Sequence, residues 1–288
     1  MPGERSRPII MLSAPPETGL RPHSIRPGVA NVTDAIVLCY HALSPTWEAD
    51  LSTTPQRFEQ QLTLLAERGY RGATFSEVVA AKGREKVLAV TFDDAYLSVL
   101  KLAKPILDRL GFPASVFAPT DGVDAGGVLS WPGIDQWLGG PHEHELTPMS
   151  WEQLRALAVG GWEIGSHTAT HPHLTQLDDA RLRDELTRSR AACEERLGAA
   201  CTTLAYPYGD VDARVVAAAA SAGYETAAAL PKRLSSCDPL DWPRIGVYFA
   251  DDDRRFRLKV SPVARRLRRS RLWSSLERMR GIAARRRS

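Results

Sequence analysis

Val87-Leu88-Ala89-Val90-Thr91-Phe92-Asp93-Asp94 decides the fold. Six apolar or β-branched residues of strand length run straight into two carboxylates, so the aspartates stand where a strand meets a loop. In parallel α/β folds, chemistry collects at that end of the strands. A second strand-like run, Trp162-Glu163-Ile164-Gly165-Ser166, leads into His167-Thr168-Ala169-Thr170-His171 in the same manner. An Asp-Asp pair alone reads as a helix cap, and two histidines four apart alone read as surface. Together, at the ends of two strands, they supply a carboxylate and two imidazoles for a three-ligand metal site, with water in the open position and a second carboxylate to spare.

Further strands are read at 35–40, 71–75, 114–118, 202–206, 225–229 and 244–249, alternating with helices. Thr54 caps the first helix, Pro55 takes its first position, Gly69 closes it, and Phe58, Leu62, Leu65 and Ala66 form its apolar face. A second helix follows Asp94 as far as Gly111, and others span 150–159, 178–197 and 211–222. This alternation predicts a parallel sheet or a closed barrel. The stretch 119–149 is too long for a plain connection and is read as part of a cleft.

The 288 residues, 43% hydrophobic and 25% charged, suit one large α/β domain or two small ones. Residues 1–33 carry scattered prolines and arginines and read as a disordered leader, neither signal peptide nor membrane span. The domain is placed at 34–250. From Arg254 onward, fourteen Arg or Lys stand against one acid, Glu277, whereas residues 1–253 hold 23 bases and 33 acids. Residues 251–288 therefore read as a basic tail, amphipathic through Leu267, Leu272, Trp273 and Leu276, suited to peripheral contact with an anionic membrane. No nucleic-acid-binding module accompanies that charge. Cys39, Cys193, Cys201 and Cys237 form neither a CxxC pair nor a dense framework, which fits a reducing cytoplasm.

With these residues in view, the chain resembles the polysaccharide deacetylase family over about Ala35 to Gly246. The resemblance implies a distorted (β/α) barrel of about seven strands that removes acetyl groups from sugars with a divalent metal. Thr91-Phe92-Asp93-Asp94 is similar to the family's first motif, which makes Asp93 the general base and Asp94 a metal ligand. His167-Thr168-Ala169-Thr170-His171 resembles the second, with His167 and His171 completing the triad. Tyr206-Pro207-Tyr208-Gly209 resembles the third, in which the backbone N–H of Tyr208 supports the oxyanion.

Two departures stand out. Ala205 occupies the place of an arginine that in the family orients the base, and Arg244 is the candidate replacement. No histidine follows His173, where the family commonly carries its general acid. Tyr40-His41 resembles instead the N-terminal motif of the poly-N-acetylglucosamine deacetylase branch, which makes His41 the acid, as imidazolium, with His173 as rival.

The reading is a zinc-dependent carbohydrate deacetylase, cobalt, nickel or iron also suiting the donor set. It acts in the cytoplasm or at the inner membrane face on an N-acetylated sugar or lipid-linked glycan. The rivals are a deacylase or deformylase of a small amide and a non-catalytic glycan- or membrane-binding module. Trp131, Trp137, Trp151 and Tyr208 are read either as sugar-stacking or as core.

Overall fold

In the computed structural model, which describes residues 34–81, 85–231, 234 and 238–270, the apolar runs form strands at the expected places. The strands are β1 (Ile36–Tyr40), β2 (Ala42–Leu43), β3 (Ser52–Thr53), β4 (Arg71–Ala73), β5 (Val87–Phe92), β6 (Ser115–Ala118), β7 (Glu163–Ser166), β8 (Thr203–Ala205), β9 (Thr226–Ala229), β10 (Trp242–Pro243) and β11 (Ile245–Gly246). The helices are α1 (Pro55–Glu67), α2 (Phe75–Ala80), α3 (Lys104–Leu110), α4 (Thr120–Ala125), α5 (Trp151–Val159), α6 (Asp179–Leu197), α7 (Ala213–Ser221), α8 (Asp253–Lys259) and α9 (Pro262–Arg269).

The main sheet is parallel, in the order β10-β9-β8-β7-β6-β5-β1-β11, with β4 beside β5. Its two ends belong to one stretch of chain. Trp242 and Pro243 pair with Ala228 and Ala229, and Ile245 and Gly246 then pair with Leu38 and Cys39. At the changeover the Arg244 N–H donates to Ala229 O at 3.0 Å, and the Val247 N–H donates to Cys39 O at 2.9 Å. Residues 242–247 thus close the sheet into a barrel, and Arg244 stands at the seam.

Alternation along the strands separates two cores. Leu38, Tyr40, Leu88, Val90, Phe92, Val116 and Leu204 belong to the large cluster shared with the helices. Val37, Ala89, Phe117, Ala205 and Ala228 belong to a second cluster, together with Phe75 and Val78 of α2. Gly165 falls in that second set, because a Cβ there would run into Thr203 Oγ1 and lie 2.7 Å from the Phe117 ring. Small residues on β7, β8 and β9 leave room beside Phe117 for the Arg244 guanidinium, which lies over that ring at 5.6 Å.

Local signals explain the helix boundaries. Thr54 accepts the Arg57 N–H and Pro55 opens α1, as expected. The expected strand 71–75 stops at Ala73, because Thr74 and Glu77 form a capping box that starts α2. The expected strand 244–249 begins two residues earlier and ends at Gly246. The helix expected after Asp94 begins as a π-turn, Val99–Ala103, before α3.

Part of the segment read as basic tail packs on the domain. Phe256, Val260 and Arg265 are buried, and Arg265 pairs with Asp34 at 2.5 Å while donating to Tyr70 Oη at 2.9 Å. The leader at 1–33, Cys237, and Leu272, Trp273 and Leu276 lie outside the described residues. No helix among the described residues is long and apolar enough to cross a membrane.

Candidate active site

Because the barrel strands are parallel, their C-terminal ends share one rim, and the residues singled out in the sequence follow them. His41 comes after β1, Asp93 and Asp94 after β5, His167 after β7 and Tyr208 after β8. They line one cavity of about 580 Å³, whose other wall includes Trp131, Pro132 and Ile134 from the 119–149 stretch.

Asp94, His167 and His171 meet at the cavity floor. Asp94 Oδ1 lies 3.5 Å from His167 Nε2 and 3.4 Å from His171 Nε2, with all three residues buried. Ligands about 2.0–2.2 Å from a tetrahedral ion are themselves about 3.4 Å apart, so the spacing suits one divalent ion. Asp94 Oδ1 is buried with no hydrogen-bond donor, as an atom kept for a cation would be. His167 Nδ1 lies 2.8 Å from Ala205 O. Donation to that carbonyl fixes the tautomer that turns a lone pair on Nε2 toward Asp94. Burial and the neighbouring Asp93 charge push the Asp94 carboxyl well above the usual range, and burial holds both imidazoles low and neutral. A divalent cation would relieve the first shift and suit the second, so the residues fit the metal that the family resemblance implies.

Asp93 is held by other partners, its Oδ2 3.9 Å from His167 Nε2. Arg244 grips it from below, Nη1 to Oδ1 at 2.6 Å and Nη2 to Oδ2 at 2.8 Å, and Nη1 also donates to Thr91 Oγ1 at 3.0 Å. Both partners are buried. Burial alone would raise the Asp93 carboxyl, but Arg244 and its neighbours outweigh it and hold the acid well below the usual range. Cys39 adds a third contact, its Sγ 3.4 Å from Asp93 Oδ2. Burial pushes that thiol up, so it stays an S–H donor.

His41 reaches the same carboxylate, with a ring nitrogen within 4.8 Å of Asp93. Burial pulls it down to about 4 despite the Asp93 charge. At neutral pH the resting ring is therefore neutral. Tyr40 turns away from the site, donating to Gln61 Oε1 at 2.8 Å and packing on Phe58 at 5.0 Å. The rival His173 stacks on Tyr208 at 4.0 Å, beside Asp210 at 3.6 Å, and is not among the cavity's lining residues.

The backbone around these groups is strained. Among the described residues, positive φ at non-glycine positions occurs at Asp94, Ala95, Thr168, His171 and Tyr208, all in or beside the site. Glu185, which sequence reading missed, holds the histidine loop: its carboxylate accepts the N–H groups of Ala169 and Thr170 at 2.9 Å each and the Thr170 hydroxyl at 2.6 Å. Its signal was an acid inside the buried stripe Leu182, Leu186, Ser189 and Cys193 of α6. Trp131 stacks on His171 at 4.2 Å, and Tyr208 Oη donates to Pro132 O at 3.0 Å. Trp151 is core, its indole N–H donating to Asp124.

The family model described as polysaccharide deacetylase matches residues 80–227, which include all three motifs. The chain belongs to the polysaccharide deacetylase family. Among curated relatives, YxkH of Bacillus subtilis (strain 168) is 27% identical over 194 residues, 66% of this chain and 62% of that protein. The chitooligosaccharide deacetylase of Bradyrhizobium sp. (strain ANU 289) is 38% identical over 100 residues, 33% of this chain and 42% of that one. The chain thus spans less than two thirds of the length of these relatives. Among solved structures, Streptococcus pyogenes deacetylase PplD in complex with acetate superposes with a TM-score of 0.66 at 22% identity, over 79% of this chain and 98% of that one. IcaB from Ammonifex degensii gives 0.63 at 22% identity, over 83% and 99%. These two likenesses carry the fold. The family match stops short of both His41 and Arg244.

Proposed function

We propose that this protein is a metal-dependent hydrolase that removes the N-acetyl group from an amino sugar in a glycan or glycan precursor. The observation that carries the reading is the buried Asp94, His167 and His171 triad beside a separately held carboxylate, Asp93, on the floor of one open cavity. The triad would hold the ion, zinc suiting the donor set best. When bound, the ion supplies Lewis acidity toward a carbonyl and a lowered pKa for water.

The remaining steps belong to the chain. Asp93, kept ionised and oriented by Arg244, takes the proton of the attacking water. The Tyr208 N–H, turned by a φ of 58°, donates to the oxyanion growing on the acetyl carbonyl. His41 is neutral at rest and within reach of Asp93, so it receives that proton and passes it to the departing nitrogen. The C–N bond breaks, and acetate and a free amine leave. Trp131 and Tyr208 flank the place where the sugar ring would lie.

The same reading includes peripheral membrane contact. α8 and α9 present exposed Arg254, Arg255, Arg257 and Arg266 beside exposed Leu258, Val263 and Leu267. Basic residues near an anionic surface contribute about 1 kcal/mol each. Co-sedimentation with anionic but not zwitterionic vesicles checks it, and equal binding to both discards it.

The deciding experiment is acetate release from N-acetylglucosamine oligomers by zinc-loaded protein. Asp93→Asn should keep the metal and lose turnover, and Asp94→Asn should lose both. Acetate release that survives Asp93→Asn, or metal bound without turnover of any acetamido sugar, would overturn the proposal.

A further inference from the structure

One strand ladder brings three further donors together. Cys39 and His41 stand two apart at the end of β1, so their side chains leave the same face. β1 pairs with β5 through Cys39 and Thr91, and the ladder runs on past both strands, the Asp93 N–H donating to Tyr40 O at 3.0 Å. Asp93 therefore shares that face. A thiol sulfur, a ring nitrogen and a carboxylate oxygen end up within 4.8 Å of one another, and this trio has no member in common with Asp94, His167 and His171.

Three observations fit the trio to a metal ion. Cys39 Sγ lies 3.4 Å from Asp93 Oδ2, and a sulfur about 2.3 Å and an oxygen about 2.0–2.2 Å from a tetrahedral ion stand about 3.5 Å apart. His41 Nδ1 is buried with no hydrogen-bond partner, and a buried nitrogen without one calls for a cation or a donor. Arg244 takes one position on each Asp93 oxygen, while a carboxylate offers about four, so the place on Oδ2 now turned to the thiol proton can go to an ion without loss of the guanidinium grip. Cys39 and Asp93 are 0% and 2% exposed, but Asp94 and His167 are as deeply buried at 1% each. Donors this close together shut out water and still admit an ion bonded within about 2.3 Å. His41 and Asp93 border the open cavity, which gives the ion its way in.

We propose that Cys39, His41 and Asp93 form a second divalent-metal site, and that an ion held there stops catalysis. As the ion binds, the Cys39 S–H bond breaks, its proton passes to solvent, and the sulfur bonds the metal as thiolate with no change of oxidation state. Thiolate and imidazole select zinc, cobalt or cadmium over magnesium or calcium. The inhibition, though not the site, rests on the deacetylase reading above. The ion would occupy the carboxylate that takes the water proton and the imidazole that passes it on. Asp93 Oδ2 lies only 3.9 Å from His167 Nε2, so two dications in these places repel each other. The triad therefore fills first, and excess metal inhibits what the first equivalent activates.

The test is a cobalt titration of metal-free, full-length protein, because a thiolate bonded to cobalt gives an intense near-ultraviolet charge-transfer band that nitrogen and oxygen donors do not. The band should be absent with the first equivalent and grow with the second. Asp94→Asn, which loses the triad's ion, should show it from the first equivalent. Cys39→Ser should bind one ion without the band, and His41→Gln should need about 10- to 100-fold more cobalt to produce it. A parent protein that stops at one ion with no band, or a band that survives in Cys39→Ser, would overturn the site. With zinc, acetate release should peak at one equivalent and fall about 100-fold as the second ion takes the base and the proton carrier. In Cys39→Ser, excess zinc should no longer lower that variant's own activity. Acetate release that persists while the second site is full would overturn the inhibition. A band that depends on Cys39, in a protein that releases acetate from no substrate, supports the site and removes the deacetylase reading instead.

Discussion

Replacing Arg244 with alanine removes two charge-assisted hydrogen bonds to Asp93, at 2.6 and 2.8 Å, inside the barrel. Two unit charges about 4 Å apart at an effective dielectric near 20 interact by about 4 kcal/mol, or about three pK units. Burial is the largest influence on Asp93 and acts to raise it, so without Arg244 the carboxyl should move above the ordinary carboxylate range. With Arg244 present the base is ionised throughout the weakly acidic range. In the variant, activity should fall as pH decreases through a window well above the parent's. Leaving one member of a buried pair costs about 3–5 kcal/mol of stability, and a misplaced base costs about 10²-fold in rate. The assay is a pH–rate profile of acetate release with zinc content measured in parallel, since the Arg244 guanidinium donates to Asp93 and Thr91 and not to the triad. Arg244→Lys keeps the charge and loses the two-pronged grip, so it should recover the pH profile better than the rate. Arg244→Ala within threefold of the parent kcat/KM, with an unmoved acid limb, would refute the reasoning.

Gly165→Ala should destabilise the fold by about 1–3 kcal/mol in urea unfolding, since the new methyl meets Thr203 Oγ1 and Phe117 inside the barrel; an unchanged midpoint would show that the ring and hydroxyl give way freely. Arg265→Ala leaves Asp34 and Tyr70 without their buried partner and removes the tie from α9 to Ala35 O, so the unfolding midpoint should fall while zinc content stays intact. His41 sits at about 4 in the folded protein, below its ordinary 6.5, so the unfolded chain binds more protons between those values. In metal-free protein His41 should therefore cost up to about 3 kcal/mol of stability as pH falls from about 6.5 to 4, beside the losses from the buried His167 and His171. His41→Gln should flatten that slope, and an identical slope in both proteins would reject the assignment.

The positions of the proposed metal ligands and base were legible because both motifs are local. A strand that ends in Asp-Asp, and another that ends in His-x-x-x-His, place their donors by chain geometry alone, and the strand spans around them match to within a residue or two. The triad spacing of 3.4–3.5 Å adds what the sequence could only imply. Arg244 was legible as a residue type in want of a partner, through the alanine at 205. Glu185 was missed because an acid in a helical stripe says nothing of what lies across from it until α6 is laid against the histidine loop. The resting charge of His41 was not legible either, since burial, not residue type, decides it.

By itself the sequence determined the alternation of strands and helices, the rim on which chemistry gathers, and the residues proposed as metal donors and base. Those are properties of short segments, governed by side-chain periodicity, capping and strand-to-loop geometry. Only the tertiary structure decided that residues 242–247 close the barrel, that Arg244 passes through space left by Ala205 and Ala228 to Asp93, and that Cys39 and His41 meet Asp93 beside the triad. Those depend on contacts between segments far apart in the chain, where complementary volume and the desolvation of charge, not local pattern, select the arrangement.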